Sequence, residues 1–361
     1  MDTELRLMKG NEAIAEAAIR DGADAYFGYP ITPQSEVIEY LMAEKPHERT
    51  GMTVLQAESE VAAINMVYGA AGAGRKVWTS SSSPGISLKQ EGISYIAGSE
   101  LPALILNVVR GGPGLGTIQP GQGDYFQSTK GGGHGDYRLI VLAPASVQEM
   151  YDFVELGFDL AFKYKNPAMI LSDGVIGQMM EKVKMSPQKE RRTPEQIIEE
   201  CPWATTGKPK SRERNIITSL ELDAGRMEKF NHKLIEKYDA MKENEVRYET
   251  IECDDAEYLF VAYGSSARIC QSAVKLARKK GIKVGLLRPI TLFPFPTKQI
   301  REFIPQIKGY LSVEMSAGQM VEDIKLAVNG ERPAEHFGRL GGVIPTAEEI
   351  VEALEQKIIG G

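Results

Sequence analysis

Cysteine is nearly absent: Cys201, Cys253 and Cys270 stand far apart, with no CxxC and no close histidine. That excludes an iron–sulfur cluster, which needs about four clustered thiolates, and a structural zinc site. Four histidines in the whole chain leave little for a histidine-rich metal centre. No apolar run approaches the roughly 20 residues that span a bilayer. The start, MDTELRLMKGNEA, lacks the apolar core of a secretion signal, so a cytoplasmic location is expected. A basic stripe is missing too. Forty-two Lys and Arg against 49 Asp and Glu give a formal net charge of −7, which argues against nucleic acid as a partner. There is no GxxxxGK[ST], no GxSxG elbow, and no GxGxxG between a strand and a helix. Gly112-Pro113-Gly114-Leu115-Gly116 has the wrong spacing and context.

What is present reads as a soluble α/β protein. With 361 residues the chain exceeds one ordinary core and predicts two domains. Residues 1–184 alternate helical and short apolar segments, as a parallel sheet requires. Asn11 is placed to cap a first helix, Ala25–Tyr29 to form a strand, and Thr32–Pro33 to open a second helix, with Thr as cap and Pro in the first turn. Val54–Gln56, Lys76–Ser80, Ala103–Val109, Leu139–Ala143 and Ala168–Ser172 read as strands. Glu58–Ala71, Ile86–Ala97 and Ser146–Lys163 read as helices. Residues 185–254 form a charged linker: a Pro-rich stretch expected as an exposed excursion, then one long helix over Ser219–Asn244. That helix suits a bridge, a subunit contact or a solvated face. From 255 to 361 the alternation resumes as a smaller α/β domain.

Three features carry chemistry. Tyr29-Pro30-Ile31-Thr32-Pro33-Gln34-Ser35 stands at a strand-to-helix turn, where parallel sheets collect ligands and helix N-termini attract anions. Thr32 adds a hydroxyl there, although a cap and two stiffening prolines explain the same residues. Ala57-Glu58-Ser59-Glu60 opens an alanine-rich helix. Residues two apart point to nearly opposite sides, so one carboxylate at most faces a site, and both equally suit the helix dipole. Arg110 ends the most apolar strand and is followed by about 25 residues of glycine-rich loop, a length that is commonly functional. Its planar fork suits a carboxylate. His134, in that loop, reads as a hydrogen-bonding residue.

These segments, with Thr79–Leu88 (TSSSSPGISL) between the second and third, resemble the N-terminal region of the 2-oxoacid:ferredoxin oxidoreductases, whose hallmark is YPITP. Leu287–Pro296 (LRPITLFPFP) and Glu314–Met320 (EMSAGQM) are similar to that family's transketolase-C-terminal-like domain. The resemblance implies a thiamine-diphosphate pyrimidine-binding domain followed by that smaller α/β domain. It implies that Glu60, rather than Glu58, bonds the aminopyrimidine ring, with Pro30, Ile31, Ser83 and Pro84 lining the cofactor. Thr32 and Arg110 would hold the 2-oxoacid. Neither Gly123-Asp124-Tyr125 nor Asp173-Gly174-Val175 makes the GDG motif that anchors magnesium and diphosphate. A partner subunit is therefore implied to bind both, while a small ferredoxin-like subunit carries the iron–sulfur clusters and a further small subunit completes the complex. Coenzyme A takes the acyl group and ferredoxin the electrons. SPGISLKQEGISYIAGSELP and the loop after Arg110 look closest to the branched-chain (2-oxoisovalerate, 3-methyl-2-oxobutanoate) subgroup. A 2-oxoglutarate enzyme, another thiamine-diphosphate synthase or decarboxylase, and a non-catalytic scaffold for cluster-bearing chains are the competing readings.

Overall fold

A computed structural model describes residues 4–360 apart from positions 209 and 211. In chain order the first part runs β1 (Leu5–Lys9), α1 (Gly10–Arg20), β2 (Ala25–Gly28), α2 (Ser35–Glu44), α3 (Pro46–Thr50), β3 (Thr53–Gln56), α4 (Glu60–Gly72), β4 (Val77–Ser81), α5 (Pro84–Gly98) and β5 (Ala103–Val109). It continues with α6 (Tyr125–Thr129), β6 (Ile140–Leu142), α7 (Val147–Tyr164), β7 (Pro167–Asp173), α8 (Gly174–Gln178), β8 (Met180–Lys184), α9 (Pro194–Glu200) and α10 (Ala224–Asn244). The remainder is β9 (Tyr248–Ile251), β10 (Tyr258–Val261), α11 (Gly264–Lys279), β11 (Val284–Pro289), β12 (Thr291–Phe293), α12 (Thr297–Glu302), β13 (Gly309–Glu314), α13 (Met320–Val328), β14 (Ala334–Gly338) and α14 (Ala347–Leu354).

A seven-stranded sheet in the order β12-β6-β7-β5-β4-β2-β3 is parallel except for β12. Strands β5 and β7 are buried along their whole length, which is why both read as continuous apolar runs rather than alternations. Helices α1 and α7 pack on each other, and α4 packs on α5. The second sheet, β14-β13-β10-β11-β9, is parallel except for β9. Two strands tie the units together. Tyr248–Ile251, from the expected linker, joins the second sheet against β11. Thr291–Phe293, from the expected second domain, closes the edge of the first against β6.

Several local expectations are corrected. Asn11 does not cap α1; Lys9 does, and Asn11 lies buried inside the helix with its amide donating to the Pro33 carbonyl at 2.8 Å. Thr32 and Pro33 do not open α2. They sit in a turn closed by Gln34 N–H to the Ile31 carbonyl at 3.0 Å, and the helix begins at Ser35 with Gln34 as its cap. The backbone bond within the turn holds these residues out of the helix, so the cap preference of Thr is overridden. The long charged helix begins at Ala224, capped by the Asp223 carboxylate, and buries Leu234, Tyr238 and Met241 in the main core. It is therefore a packed element rather than a solvated linker. The Pro-rich excursion before it is pinned to the first unit by Lys189, Arg191 and Arg192, which reach Asp21 and Asp24.

Candidate functional site

Each chemically notable segment follows the carboxyl end of a parallel strand, the edge where open α/β sheets bind ligands. The Tyr29–Gln34 turn follows β2, Glu60 follows β3, Ser82 and Ser83 follow β4, and Arg110 follows β5. Pro30 and Ile31 are half-buried in the first of these turns, and Thr32 is exposed.

Glu60 is the first residue of α4, after Ser59, whose hydroxyl caps the helix by accepting the Ala62 N–H at 3.1 Å. Glu58 is exposed and accepts the Ser59 hydroxyl; Glu60 is 7% exposed. The two carboxylates thus part, Glu58 lying outside the helix before the Ser59 cap and Glu60 in its first turn. Among the described residues no hydrogen bond or ion pair reaches the Glu60 carboxylate. It faces the first turn of α5, where Gly85 is required. A Cβ there would lie 2.8 Å from Glu60 Oε1 and 2.2 Å from Ser81 Oγ. The buried hydroxyls of Ser81 and Ser82 have no partner either. Ser83, just before α5, holds φ 31°, a strained backbone value for a residue with a side chain and one that gathers at functional sites.

Arg110 is 8% exposed. Its Nη1 donates to the Thr32 carbonyl at 3.0 Å and Nη2 to the Leu115 carbonyl at 2.8 Å, while Nε has no partner. No carboxylate of the described residues pairs with it. The guanidinium so ties the Thr32 turn to the glycine-rich loop and remains a buried cation without an anion. Its backbone N–H donates to Ser83 Oγ at 3.1 Å. Ser83 Oγ in turn donates to Asp124 Oδ2 at 2.8 Å, as does Asn107 Nδ2 at 2.8 Å. Burial pushes the Asp124 carboxyl above its usual range, with the Asn107 and Ser83 hydrogen bonds pulling the other way.

The loop after Arg110 is more ordered than its composition suggests. It contains α6, and its tight turn brings Gly116 against the Gly111 carbonyl, where a Cβ would stand 1.8 Å away. Gln122, 2% exposed, bonds the second unit through the Tyr263 carbonyl at 2.9 Å, the Ser266 hydroxyl at 2.7 Å and the Met315 N–H at 2.9 Å. His134 is exposed, and its carbonyl accepts Ser94 Oγ. Beside Thr32 a cleft of about 440 Å³ is lined by Pro33, Ile118, Pro120, Val175 and Ile344, with Glu36 and Glu39 at its side and no Lys or Arg.

The residues that sequence reasoning missed lie behind this surface. Lys89 of α5 is 0% exposed; its Nζ donates to Thr79 Oγ1 at 2.6 Å and to the Ser80 carbonyl at 3.2 Å. A charge between Ile86 and Ile93 on the apolar face of α5 was the available signal. Buried Gln34, which accepts Ser80 Oγ at 2.6 Å, and Tyr26, at 2.7 Å from the same oxygen, brace the turn from below. Asn107 and Asp124 carried no local signal.

No group of three or more His, Cys, Asp or Glu among the described residues is placed to hold a metal. Asp124 is engaged by Ser83 and Asn107. Asp173 caps α8 and accepts Ser265 Oγ at 2.6 Å. All three cysteines are buried and free, and no helix is long and apolar enough to cross a membrane.

Two family descriptions match the chain: pyruvate flavodoxin/ferredoxin oxidoreductase, thiamine diphosphate-binding, over residues 16–249, and pyruvate:ferredoxin oxidoreductase core domain II, over residues 256–350. The ketoisovalerate oxidoreductase subunit VorB of Methanothermobacter thermautotrophicus is 52% identical over 97% of this chain and 97% of its own length. The 2-oxoglutarate synthase subunit KorA of Archaeoglobus fulgidus is 37% identical over 98% of this chain and all of its own. A solved 2-oxoglutarate:ferredoxin oxidoreductase from Magnetococcus marinus superposes with a TM-score of 0.83 at 25% identity, covering 99% of this chain and 66% of that one. Fold, motif order and full-length similarity agree: this chain belongs to the pyruvate flavodoxin/ferredoxin oxidoreductase family and is an oxidoreductase subunit.

Proposed function

We propose that this chain is the pyrimidine-side subunit of a 3-methyl-2-oxobutanoate (2-oxoisovalerate):ferredoxin oxidoreductase, with Glu60, Thr32 and Arg110 at the reacting centre. The observation that carries the reading is the occurrence, at one sheet edge, of two largely buried charged residues with no charged partner among the described residues. Among the described residues the Glu60 carboxylate accepts no hydrogen bond, and Arg110 is a cation without an anion, its Nε unpartnered. An aminopyrimidine nitrogen suits the first and a 2-oxoacid carboxylate the second. Bound thiamine diphosphate supplies an electron sink for loss of carbon dioxide.

The chain's own part is to hold and aim. Glu60 accepts a hydrogen bond from the ring and thereby fixes which ring nitrogen carries a proton. Ser83 and Pro84, at the head of α5, and Pro30 and Ile31, in the Tyr29–Gln34 turn, wall the ring. Arg110 orients the substrate carboxylate against the turn it already grips at Thr32. The overall reaction joins the acyl group to coenzyme A, releases carbon dioxide and passes two electrons to ferredoxin.

Magnesium and diphosphate are assigned to a partner subunit, because both aspartates of the GDG-like segments are committed elsewhere. Iron–sulfur clusters are assigned to a small ferredoxin-like subunit, in a cytoplasmic complex completed by a further small chain. Support for the partner comes from α4. Val61 (44% exposed) and Met66 (37%) leave that helix apolar on its outer side as well as its inner one, a pattern of buried helices. Leu88 and Tyr95 continue the patch on α5. A branched-chain substrate is favoured over 2-oxoglutarate by the cleft beside Thr32, whose lining includes Ile118, Val175, Ile344 and two glutamates but no Lys or Arg for a second carboxylate. Co-purification of the complex, then coenzyme-A-dependent dye reduction with 2-oxoisovalerate, 2-oxoglutarate and pyruvate, tests the reading. Highest kcat/KM with 2-oxoisovalerate is expected; preference for 2-oxoglutarate overturns the substrate.

A further inference from the structure

Among the described residues Lys89 is the one buried lysine, and no carboxylate is in contact with it. An ammonium of this kind is expensive to bury, and a methionine of similar length would fill the space without that cost. Its position has a logic on the page. One helical turn earlier on α5, Gly85 abuts Glu60 Oε1 and Ser81 Oγ. Lys89 Nζ is held by Thr79 and Ser80, the two residues of β4 before that serine. The geometry points to Lys89 as a positioning residue for Glu60: a buried counter-charge, fixed to the end of β4, that couples the carboxylate to the floor of the sheet. This rests on the assignment of Glu60 to the reacting centre.

The surroundings leave Glu60 as its electrostatic partner. Burial pulls the Lys89 ammonium down to about 7, and Glu60 is the charged group that pulls it back up. Around α5, Tyr26 of β2 is kept neutral by burial, as is Tyr137, which bonds Gln90 on the neighbouring face. Tyr68 of α4 is tied to Ser99. Glu91 of α5 is bonded to Tyr95 at the surface. Asp173 at the end of β7 is taken by Ser265 and the amides of α8. A group with its midpoint near neutrality, one helical turn from the glycine that abuts the carboxylate, makes the site responsive to pH near 7.

The test has two arms, both on the assembled complex. In the first, 13Cε-lysine NMR follows Lys89, assigned by its loss in Lys89→Met. Its midpoint is expected near pH 7 and should fall by about one unit in Glu60→Gln, the shift that removal of a nearby opposite charge produces. An unchanged midpoint overturns the coupling, whatever Glu60→Gln does to turnover, so failure here is separable from failure of the Glu60 assignment. In the second arm, kcat/KM is followed from pH 6 to 9. An inflection near neutrality is expected in the native complex, absent from Lys89→Met and moved to lower pH in Thr79→Val, which removes one acceptor of the ammonium. Superimposable profiles in all three overturn the proposal. If Lys89→Met does not assemble, Thr79→Val alone decides this arm.

Discussion

The two ends of the seven-stranded sheet treat charge in opposite ways. At the amino end, Asp24 is 3% exposed yet satisfied by the Lys76 N–H at 2.8 Å, Arg191 at 2.8 Å and Arg192 at 3.4 Å. Asp21 beside it takes Lys76 and Lys189 at 2.7 and 2.6 Å. At the carboxyl end, Glu60 and Arg110 are also buried and have no charged partner in contact among the described residues, and Lys89 below them has none either. One end uses its charges to lock the 185–192 segment onto the core; the other holds them in reserve. Buried charge without a counter-charge costs stability, and on the proposed function a ligand completes the pairing at this edge.

That contrast can be broken from either side. The largest effect is expected for Glu60→Gln in the assembled complex: a fall in kcat of about 100-fold or more, the range attributed to a positioned proton-transfer group, with assembly intact. Near-native turnover removes Glu60 from the chemistry. Arg110→Ala should follow, lowering kcat/KM by about tenfold to 100-fold for loss of a charge-assisted hydrogen bond worth ~1.5–3 kcal/mol. Arg110→Lys should recover only part, since it keeps the charge without the fork that grips Thr32 and Leu115. A KM equal to the native value in Arg110→Ala would sink the substrate clamp. At the other end, Asp24→Asn should cost about 3 kcal/mol of stability by stranding Arg191 and Arg192 while leaving kcat/KM per assembled enzyme unchanged. A loss of turnover without loss of stability would erase the division of labour.

The smallest effect belongs to Lys89→Met and depends on pH. In the fold the ammonium titrates at about 7; in the unfolded chain a lysine titrates at about 10.4. Between those values the unfolded state binds the extra proton, so native stability rises with pH across that window and the burial cost is greatest below it. Lys89→Met should therefore raise Tm by ~2 °C or more at pH 6, with the gain shrinking toward pH 10. A gain that does not vary with pH would show that folding does not lower the Lys89 pKa, because both states would then bind the same number of protons there.

Much of this was readable from residue order, and the reasons for the rest are physical. The alternation of helix and strand followed from apolar runs that need two covered faces, and β5 and β7 are covered on both. Helical spacing predicted that at most one of Glu58 and Glu60 faces a site, and the choice of Glu60 came from the family resemblance. Thr32 misled because a cap preference worth about 1 kcal/mol is smaller than the contacts of the turn that holds it. The edge strand Thr291–Phe293 has only three residues, and its partner lies about 150 positions earlier in the chain, so nothing local announces it. The Ser83–Asn107–Asp124 cluster joins three loops and strands that only the fold brings together. Lys89 was visible as a charge on an apolar helix face, but its meaning depends on Gly85 and Ser81 placing Glu60 nearby.

The central claim is that this chain furnishes one side of a shared site. Calorimetry with thiamine diphosphate and magnesium tests it most directly, first on this chain alone, then on its partner, then on the mixture. The account predicts no measurable binding to this chain alone and tight binding only when the two are together, weakened by Glu60→Gln. Tight, magnesium-dependent binding to the isolated chain would contradict it.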